Sequence, residues 1–461
     1  MILMRPFRGR SLLLCAAFAG LFTTARADDL ISVYVKALDA NPEYQSAIAA
    51  YNETAEAKPQ ALAKLLPQIG AGAEYDAVQQ TISGRYFVGS FTPDGPGIDT
   101  NRSDTFNNFG YVLGLNQVLY HRDLLIALDE AELEVSRAGL QTYDAQNQLR
   151  IAVAAAYFQA LGADDEVRFA AAEKDAVAKV LDQTRDKAGS GIVADTELKN
   201  AEAQYDLAVA GLIAAKNGAD LTRAQLELVT GGQKPGLLKT LSDGFLPLPP
   251  EPNRMEDWIE QAKTQNLGVQ IQRISTQLAR KQLDKAYALR WPTLDAAASR
   301  NYTFADGGLS KGIGADNNHE SDTRVGVKLK VPIFTGGAIS SAIRQALAGV
   351  SRAESSENSK RGEALRAVQV AFLNSSSGIA KIEALKQAVV STKAAEESAQ
   401  VGFDVGTKTN AELLLAVRSR YKAERDYSTA RYDYLMNTLN LRAAAGTLNH
   451  SDLLAINRYL Q

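Results

Sequence analysis

The feature that most constrains this chain of 461 residues is where proline is missing. Beyond Pro6, prolines stand at 42, 59, 67, 93 and 96, at 235, 247, 249, 250 and 252, and at 292 and 332, so 97–234 and 333–461 contain none. Proline breaks helix interiors, and proline-free stretches rich in Ala, Leu, Gln, Glu, Lys and Arg permit very long helices. No strong breaker falls between Asp123 and about Lys187, which predicts a helix ~100 Å long. The segment 338–404 predicts a second of the same length. Neither is apolar enough for lipid, so both rods must stand in water.

The prolines also punctuate a duplication. The run Leu246-Pro-Leu-Pro-Pro-Glu-Pro252 reads as an extended connector between two halves, 28–245 and 246–461. Asn41-Pro42 opens a helical pattern that ends at Leu66-Pro67-Gln68, and Asn266-Leu267 opens one that ends at Trp291-Pro292-Thr293, a constant offset of 225. Leu115 to Tyr120 then match Leu329 to Phe334 at offset 214, and Gly191, Glu197, Leu198, Ala201 and Gly231 match Gly406, Glu412, Leu413, Ala416 and Gly446 at offset 215. The drop from 225 to 214 places an 11-residue insertion in the first copy, in a Gly- and Pro-marked loop between Pro67 and Leu115.

Each copy reads as helix, strand, loop, strand, long helix, tight turn, helix. Strands are predicted at about 68–80 and 108–119, and again at about 293–304 and 322–333, with helical hairpins at about 122–230 and 338–445. In the last strand Val325, Val327, Leu329, Val331 and Ile333 fall on one face, and Arg324, Gly326, Lys328 and Lys330 on the other. Tyr111, Leu113, Leu115 and Leu119 supply the matching face of the first copy. Dyads of this length mark membrane-barrel strands and equally any half-buried strand of a soluble sheet. The connecting loops, around 81–105 and 305–321, are polar and long, as suits the outer side of a membrane barrel. The shorter helices, about 41–66 and 195–230, sum to nearly one long helix, so a long rod packed against two stacked short ones is expected.

The first 27 residues read as a signal peptide: Arg5, Arg8 and Arg10 precede a mostly apolar run, and Ala25-Arg26-Ala27 offers a small-x-small cleavage pattern. An N-terminal anchor is the alternative, although the run is short for a bilayer. Leu14 before Cys15 argues against acylation. Removing the four arginines leaves 46 basic against 53 acidic residues, a net charge of −7, which is no nucleic-acid surface. With one cysteine and three separated histidines, neither a disulfide framework nor a structural zinc site is expected, and no cofactor is called for. Past the signal no stretch reads as a transmembrane helix, so an exported chain is soluble or crosses as a β-barrel.

The returning helix carries a 3-4 seam: Leu198, Ala201, Tyr205, Ala208, Leu212, Ala215, Ala219, Thr222, Leu226 and Val229. The second copy keeps the register with Leu413, Ala416, Arg420, Ala423, Tyr427, Ala430, Tyr434, Asn437, Leu441 and Ala444. Four strands cannot close a barrel, since the smallest single-chain membrane barrels have about eight. Strands placed in a membrane therefore require an oligomer, whose rods would continue the barrel as a tube.

Four segments carry a family resemblance: Val331-Pro-Ile-Phe-Thr-Gly-Gly337, Val405-Gly-Thr-Lys-Thr409, Ala430-Arg-Tyr-Asp-Tyr-Leu-Met-Asn-Thr-Leu-Asn440, and Gly446 to Asn457. Over essentially the whole mature chain the sequence resembles the TolC family of outer-membrane exit ducts, and the last two segments resemble its namesake branch more than its remoter, often lipidated, multidrug relatives. The resemblance implies a mixed α and membrane-β fold, a homotrimer whose 12-stranded barrel, four strands per chain, lies in outer-membrane lipid and continues into a periplasmic α-helical barrel. It implies as partners a periplasmic adaptor and an inner-membrane ABC or proton-driven RND transporter, and as function the export of drugs or, by type I secretion, proteins.

Carried over position by position, the resemblance marks a periplasmic gate at Thr196, Glu197, Phe403 and Lys408 and an acidic selectivity ring at Glu412. The family's second acidic ring falls on Leu415, a departure. Lys408 and Phe403 replace an arginine and a tyrosine, and lysine lacks the bidentate fork while phenylalanine lacks a hydroxyl. A weaker gate is expected, or one held by Asp195 or Asp404 with Lys408. Without the resemblance these charges read as a solvated hairpin turn. Three copies of Glu412 around one axis would repel one another and raise at least one pKa. The rival is a soluble periplasmic coiled-coil adaptor, which would carry one hairpin where this chain has two. No enzyme motif is found: no P-loop, no G-x-S-x-G, no H-E-x-x-H and no His-paired nucleophile.

Overall fold

The computed structural model describes residues 27–87, 97–242, 244–306 and 318–461; the segment read as a signal peptide, up to residue 26, and the tips of both strand-pair loops lie outside the described residues. The first half runs α1 (Leu30–Ala40), α2 (Pro42–Ala55), α3 (Ala57–Ala63), β1 (Gln68–Phe87), β2 (Gly97–Tyr120), α4 (Arg122–Gly189) and α5 (Asp195–Val229). The second runs α6 (Met255–Gln265), α7 (Leu267–Ala288), β3 (Thr293–Ala305), β4 (Asn318–Lys330), α8 (Ala338–Asp404), α9 (Asn410–Ala445) and a final α10 (His450–Asn457). The rods α4 and α8 are 68 and 67 residues long, about 100 Å each.

Three boundaries differ from the sequence reading, each for a backbone reason. The helix expected over 41–66 is broken, because Pro59 has no N–H for the Ala55 carbonyl and α2 ends there. Asp284 occupies the matching place in the second copy, and α7 runs unbroken. β1 and β2 outrun their expected ends and pair up to Phe87 with Gly97, so the loop read at 81–105 is largely strand. Past the apolar zone that face turns polar, with Gln79, Thr81 and Ser83 opposite Thr105, Ser103 and Asn101, so the earlier alternation lapses while the ladder continues. β4 starts at Asn318 and stops at Lys330, short of Val331 and Ile333, since Pro332 offers no ladder donor. Helices α1, α6 and α10 were not anticipated.

The strands form one antiparallel sheet in the order β1-β2-β3-β4. Among the described residues the outer edges of β1 and β4 have no partner strand. One face bears Ile69, Leu113, Leu115, Val325, Val327 and Leu329, all exposed, with Val325 at 82%. Toward the loop end this face meets a row of rings. Tyr75 pairs with Phe109, Tyr111 stacks on Tyr302 with centroids 5.1 Å apart, and Phe304 stacks on His319 at 5.1 Å. Arg300 interrupts the face one pair from Tyr302.

α4 packs along α5 and α9 and, nearer the sheet, along α2, α3 and α7, while α8 packs on α6, α7 and α9. This is the expected rod on stacked short helices. All ten seam positions of each returning helix are buried or half-buried. The two halves are spliced to their rods in the same way. Asn41 caps α2 by accepting from the Tyr44 N–H at 3.0 Å and donates to the Val229 carbonyl at 2.9 Å. Asn266 caps α7 through Val269 N–H at 3.1 Å and donates to the Ala444 carbonyl at 2.8 Å. Beside this splice lies the main core, where Leu30, Val33, Tyr34, Tyr157, Leu161 and Leu453 are fully enclosed.

Candidate functional site: the hairpin tips

Both helical hairpins turn in the same way at the end far from the sheet. Gly191 and Gly406 take positive φ of 72° and 80°, and the amides that follow return to the preceding helix: Ile192 N–H to the Lys187 carbonyl at 2.9 Å, Thr407 N–H to the Gly402 carbonyl at 2.8 Å. This is the helix-ending pattern in which a left-handed glycine lets orphan carbonyls find donors. It brings Phe403, Asp404, Lys408 and Glu412 together around one turn and Asp195, Thr196 and Glu197 around the other.

Glu412 is fully exposed and caps α9: its Oε2 accepts from Thr409 N–H at 2.8 Å and from the Thr409 hydroxyl at 2.9 Å, and Thr409 Oγ1 accepts from Glu412 N–H. These hydrogen bonds, with the Lys408 charge beside them, hold the carboxyl below its ordinary range. Within one chain the shift thus runs opposite to the repulsion expected among three copies. Leu415 lies one turn on and is 66% exposed.

Lys408 folds back over Gly402, so that a Cβ at Gly402 would lie 2.9 Å from its Cγ. Among the described residues it makes no ion pair with Asp195, Glu197 or Asp404. Asp404 instead accepts from Gln400 at 3.0 Å. Phe403 is only 2% exposed, enclosed with Val177, Val180, Leu413 and Val417. Thr196 is exposed and Glu197 half-buried, and the Glu197 backbone carbonyl accepts from the buried Asn410 side chain at 3.1 Å, which ties the start of α5 to the start of α9.

Several groups here escaped the sequence reading. Lys187 Nζ donates to the Phe403 carbonyl at 2.6 Å and lies 3.7 Å from the centre of its ring, so one cation caps the end of α8 and braces the two hairpins. Farther up, Arg420 sits between Glu396 at 2.8 Å and Glu424 at 3.1 Å. Partial burial opposes its charge, but the two carboxylates hold its pKa above the ordinary value. Arg425 of α9 bridges Glu166 at 3.3 Å and Glu173 at 2.9 Å on α4. The i,i+4 spacing of Arg420 and Glu424 was legible; the cross-hairpin pairs needed the register of packing.

Among the described residues the fold is thus a sheet with one apolar, ring-bordered face and two open edges, mounted on paired rods of ~100 Å. The family model described as "Outer membrane efflux protein" matches residues 33–232 and 258–447, and the chain belongs to that family. It is 33% identical over 457 residues to "Outer membrane protein TolC" of Escherichia coli (strain K12), covering 97% of this chain and 88% of that protein. It is 24% identical over 400 residues to "Proteases secretion protein PrtF" of Dickeya chrysanthemi, covering 85% and 84%. The crystal structure of CusC superposes with a TM-score of 0.73 over 95% of each chain at 16% identity, a likeness of fold.

Proposed function

We propose that this protein is an outer-membrane exit duct for efflux, type I protein secretion or both, working as a homotrimer in which three sheets close one 12-stranded barrel. The observation that carries this reading is the sheet itself. From Thr293 to the Tyr302 row, nine steps of ~3.3 Å along strands tilted ~40° give an apolar band roughly 20–25 Å tall, close to that of outer-membrane barrels. Two unpaired edges would leave backbone donors and acceptors unsatisfied in lipid, and pairing β4 of one copy with β1 of the next removes both.

In this assembly the rods form a periplasmic α-barrel and the hairpin tips converge on the axis. Thr196, Glu197, Phe403 and Lys408 surround the gate, Asp195 and Asp404 are auxiliary partners for Lys408 between copies, and Glu412 forms the selectivity ring. A periplasmic adaptor and an inner-membrane ABC or RND transporter engage the duct at that end. The test is single-channel recording of detergent-purified protein in a planar bilayer under a salt gradient, with Glu412→Ala beside wild type. Steady openings whose cation preference falls in the variant support the duct and the ring. Openings unchanged by the variant remove Glu412 from the constriction. A protein that stays soluble without detergent and never conducts points to the adaptor reading instead.

A further inference from the structure

The sheet face opposite the apolar band carries its charges in rows. The register aligns Glu74, Gly110, Thr303 and Glu320 across all four strands, with Asp76 one row nearer the loops and Asp322 one row nearer the helices. Closer still to the helices the same face bears Arg324, then Lys328 beside Asp295, then Lys330. Acid therefore stands toward the loop end and base toward the helical end. Two of these carboxylates have local partners: Asp322 forms an ion pair with Arg324 at 2.7 Å, and Asp295 lies within hydrogen-bonding distance of His121 at 3.1 Å. Among the described residues Glu74, Asp76, Glu320, Lys328 and Lys330 make no ion pair. Gly110 leaves room for the Glu74 side chain to lie over it, since a Cβ there would be 3.4 Å from Glu74 Oε1. Gly72 and Gly110 help open a cavity of about 370 Å³ among Glu74, Glu320 and Asp322.

We propose that this face is a second electrostatic filter in the wall of the duct, an acidic collar at the outer mouth above a basic collar at the foot of the barrel. The proposal rests on the barrel reading above, which turns this face to the lumen. Three copies triple each collar. Three carboxylates per chain without partners concentrate cations and exclude anions at the mouth, while Lys328 and Lys330 do the reverse at the foot, so current depends on the sign of the applied voltage. The collars line a wide aqueous barrel and act through a potential reaching about one Debye length, ~10 Å at 0.1 M salt and ~3 Å at 1 M. Their effect therefore fades with salt, whereas a narrow constriction at the tips acts on ions in near contact.

The test compares wild type with Glu74→Gln/Glu320→Gln and with Lys328→Gln/Lys330→Gln in planar bilayers at both salt levels. At low salt the carboxylate pair should lower the cation-to-anion permeability ratio by about two-fold, the lysine pair should raise it, and both should reduce the asymmetry of the current–voltage curve. At high salt all three should converge. Should the carboxylate variant fail to assemble, the lysine variant carries the test with the opposite sign. Channels that open normally with reversal potential and asymmetry unmoved at low salt in both variants would overturn the filter and leave the duct standing. A wild type that never conducts would overturn the barrel reading and the filter with it.

Discussion

Gly446 lies so close to the carbonyl of Gln265 that a Cβ added to it would stand 2.1 Å from that oxygen. In the other repeat Gly231 bears the same relation to Ala40, at 2.2 Å. Both glycines also have positive φ, 80° and 67°. The duplication thus preserves a backbone crossing as well as a sequence pattern: the end of each returning helix is pressed against the end of the helix before the next.

Gly446→Ala should be among the most damaging single changes. It adds left-handed strain of ~1–2 kcal/mol to an overlap with backbone that has nowhere to move, and a total above ~4 kcal/mol is expected. Gly406→Ala at the tip has the same φ of 80° but open space around it, so it should cost only the strain. Thermal unfolding of the two variants in detergent checks the contrast; equal losses would refute it.

Lys187→Met should loosen the tip without harming the rest of the fold. The ammonium gives up a charged hydrogen bond and a ring contact, each worth roughly 1–2 kcal/mol, while the aliphatic stem remains. Amide exchange near Phe403 and Gly402 should accelerate several-fold, with exchange around Tyr157 and Leu161 unchanged.

Glu412 supplies a pH prediction whose sign is fixed by its Thr409 contacts. Its carboxyl is lowered from 4.5 in the folded chain, so its contribution is complete above about pH 4.5 and is lost as pH falls through the lowered value. Where the Thr409 contacts outweigh the repulsion among three copies, cation preference due to Glu412 holds through pH 5 and declines only in stronger acid; a decline already above pH 5 would mean that the repulsion dominates. In Glu412→Gln this step should vanish, and in Thr409→Val it should move to higher pH.

Leu415→Asp places a second carboxylate one turn from Glu412. The site is exposed, so stability should change by no more than ~0.5 kcal/mol, while cation preference should rise. An unchanged preference would mean that this side of α9 faces away from the lumen.

Long helices were legible because proline is a near-absolute breaker, and its absence over 97–234 and 333–461 left little else for those stretches to become. Pro59 signalled the α2–α3 break as clearly, and Asp284 its absence in the copy. The outer halves of β1 and β2 were hidden because the face that is apolar nearer the helices carries Gln79, Thr81 and Ser83 opposite Thr105, Ser103 and Asn101 there, and the alternation lapses. At the tips, Thr409 and Glu412 form a T-x-x-E capping box readable from spacing alone. Lys187 could not be read, since its partner Phe403 is 216 positions away and only the packing of α4 on the second hairpin brings them together. Phe403 likewise looked like a gate residue that had lost its hydroxyl, and within the chain it is a core side chain.

The central claim is that three copies close one barrel through the edges of β1 and β4. With Cys15 replaced by serine the chain is free of cysteine, so single cysteines can be placed at Ile69 on one edge and at Val325, Val327 or Leu329 on the other, and oxidised in outer membranes. One pairing should yield a covalent ladder that stops at three chains. Species of four or more would indicate an open array, and no cross-linking at any register would contradict the barrel.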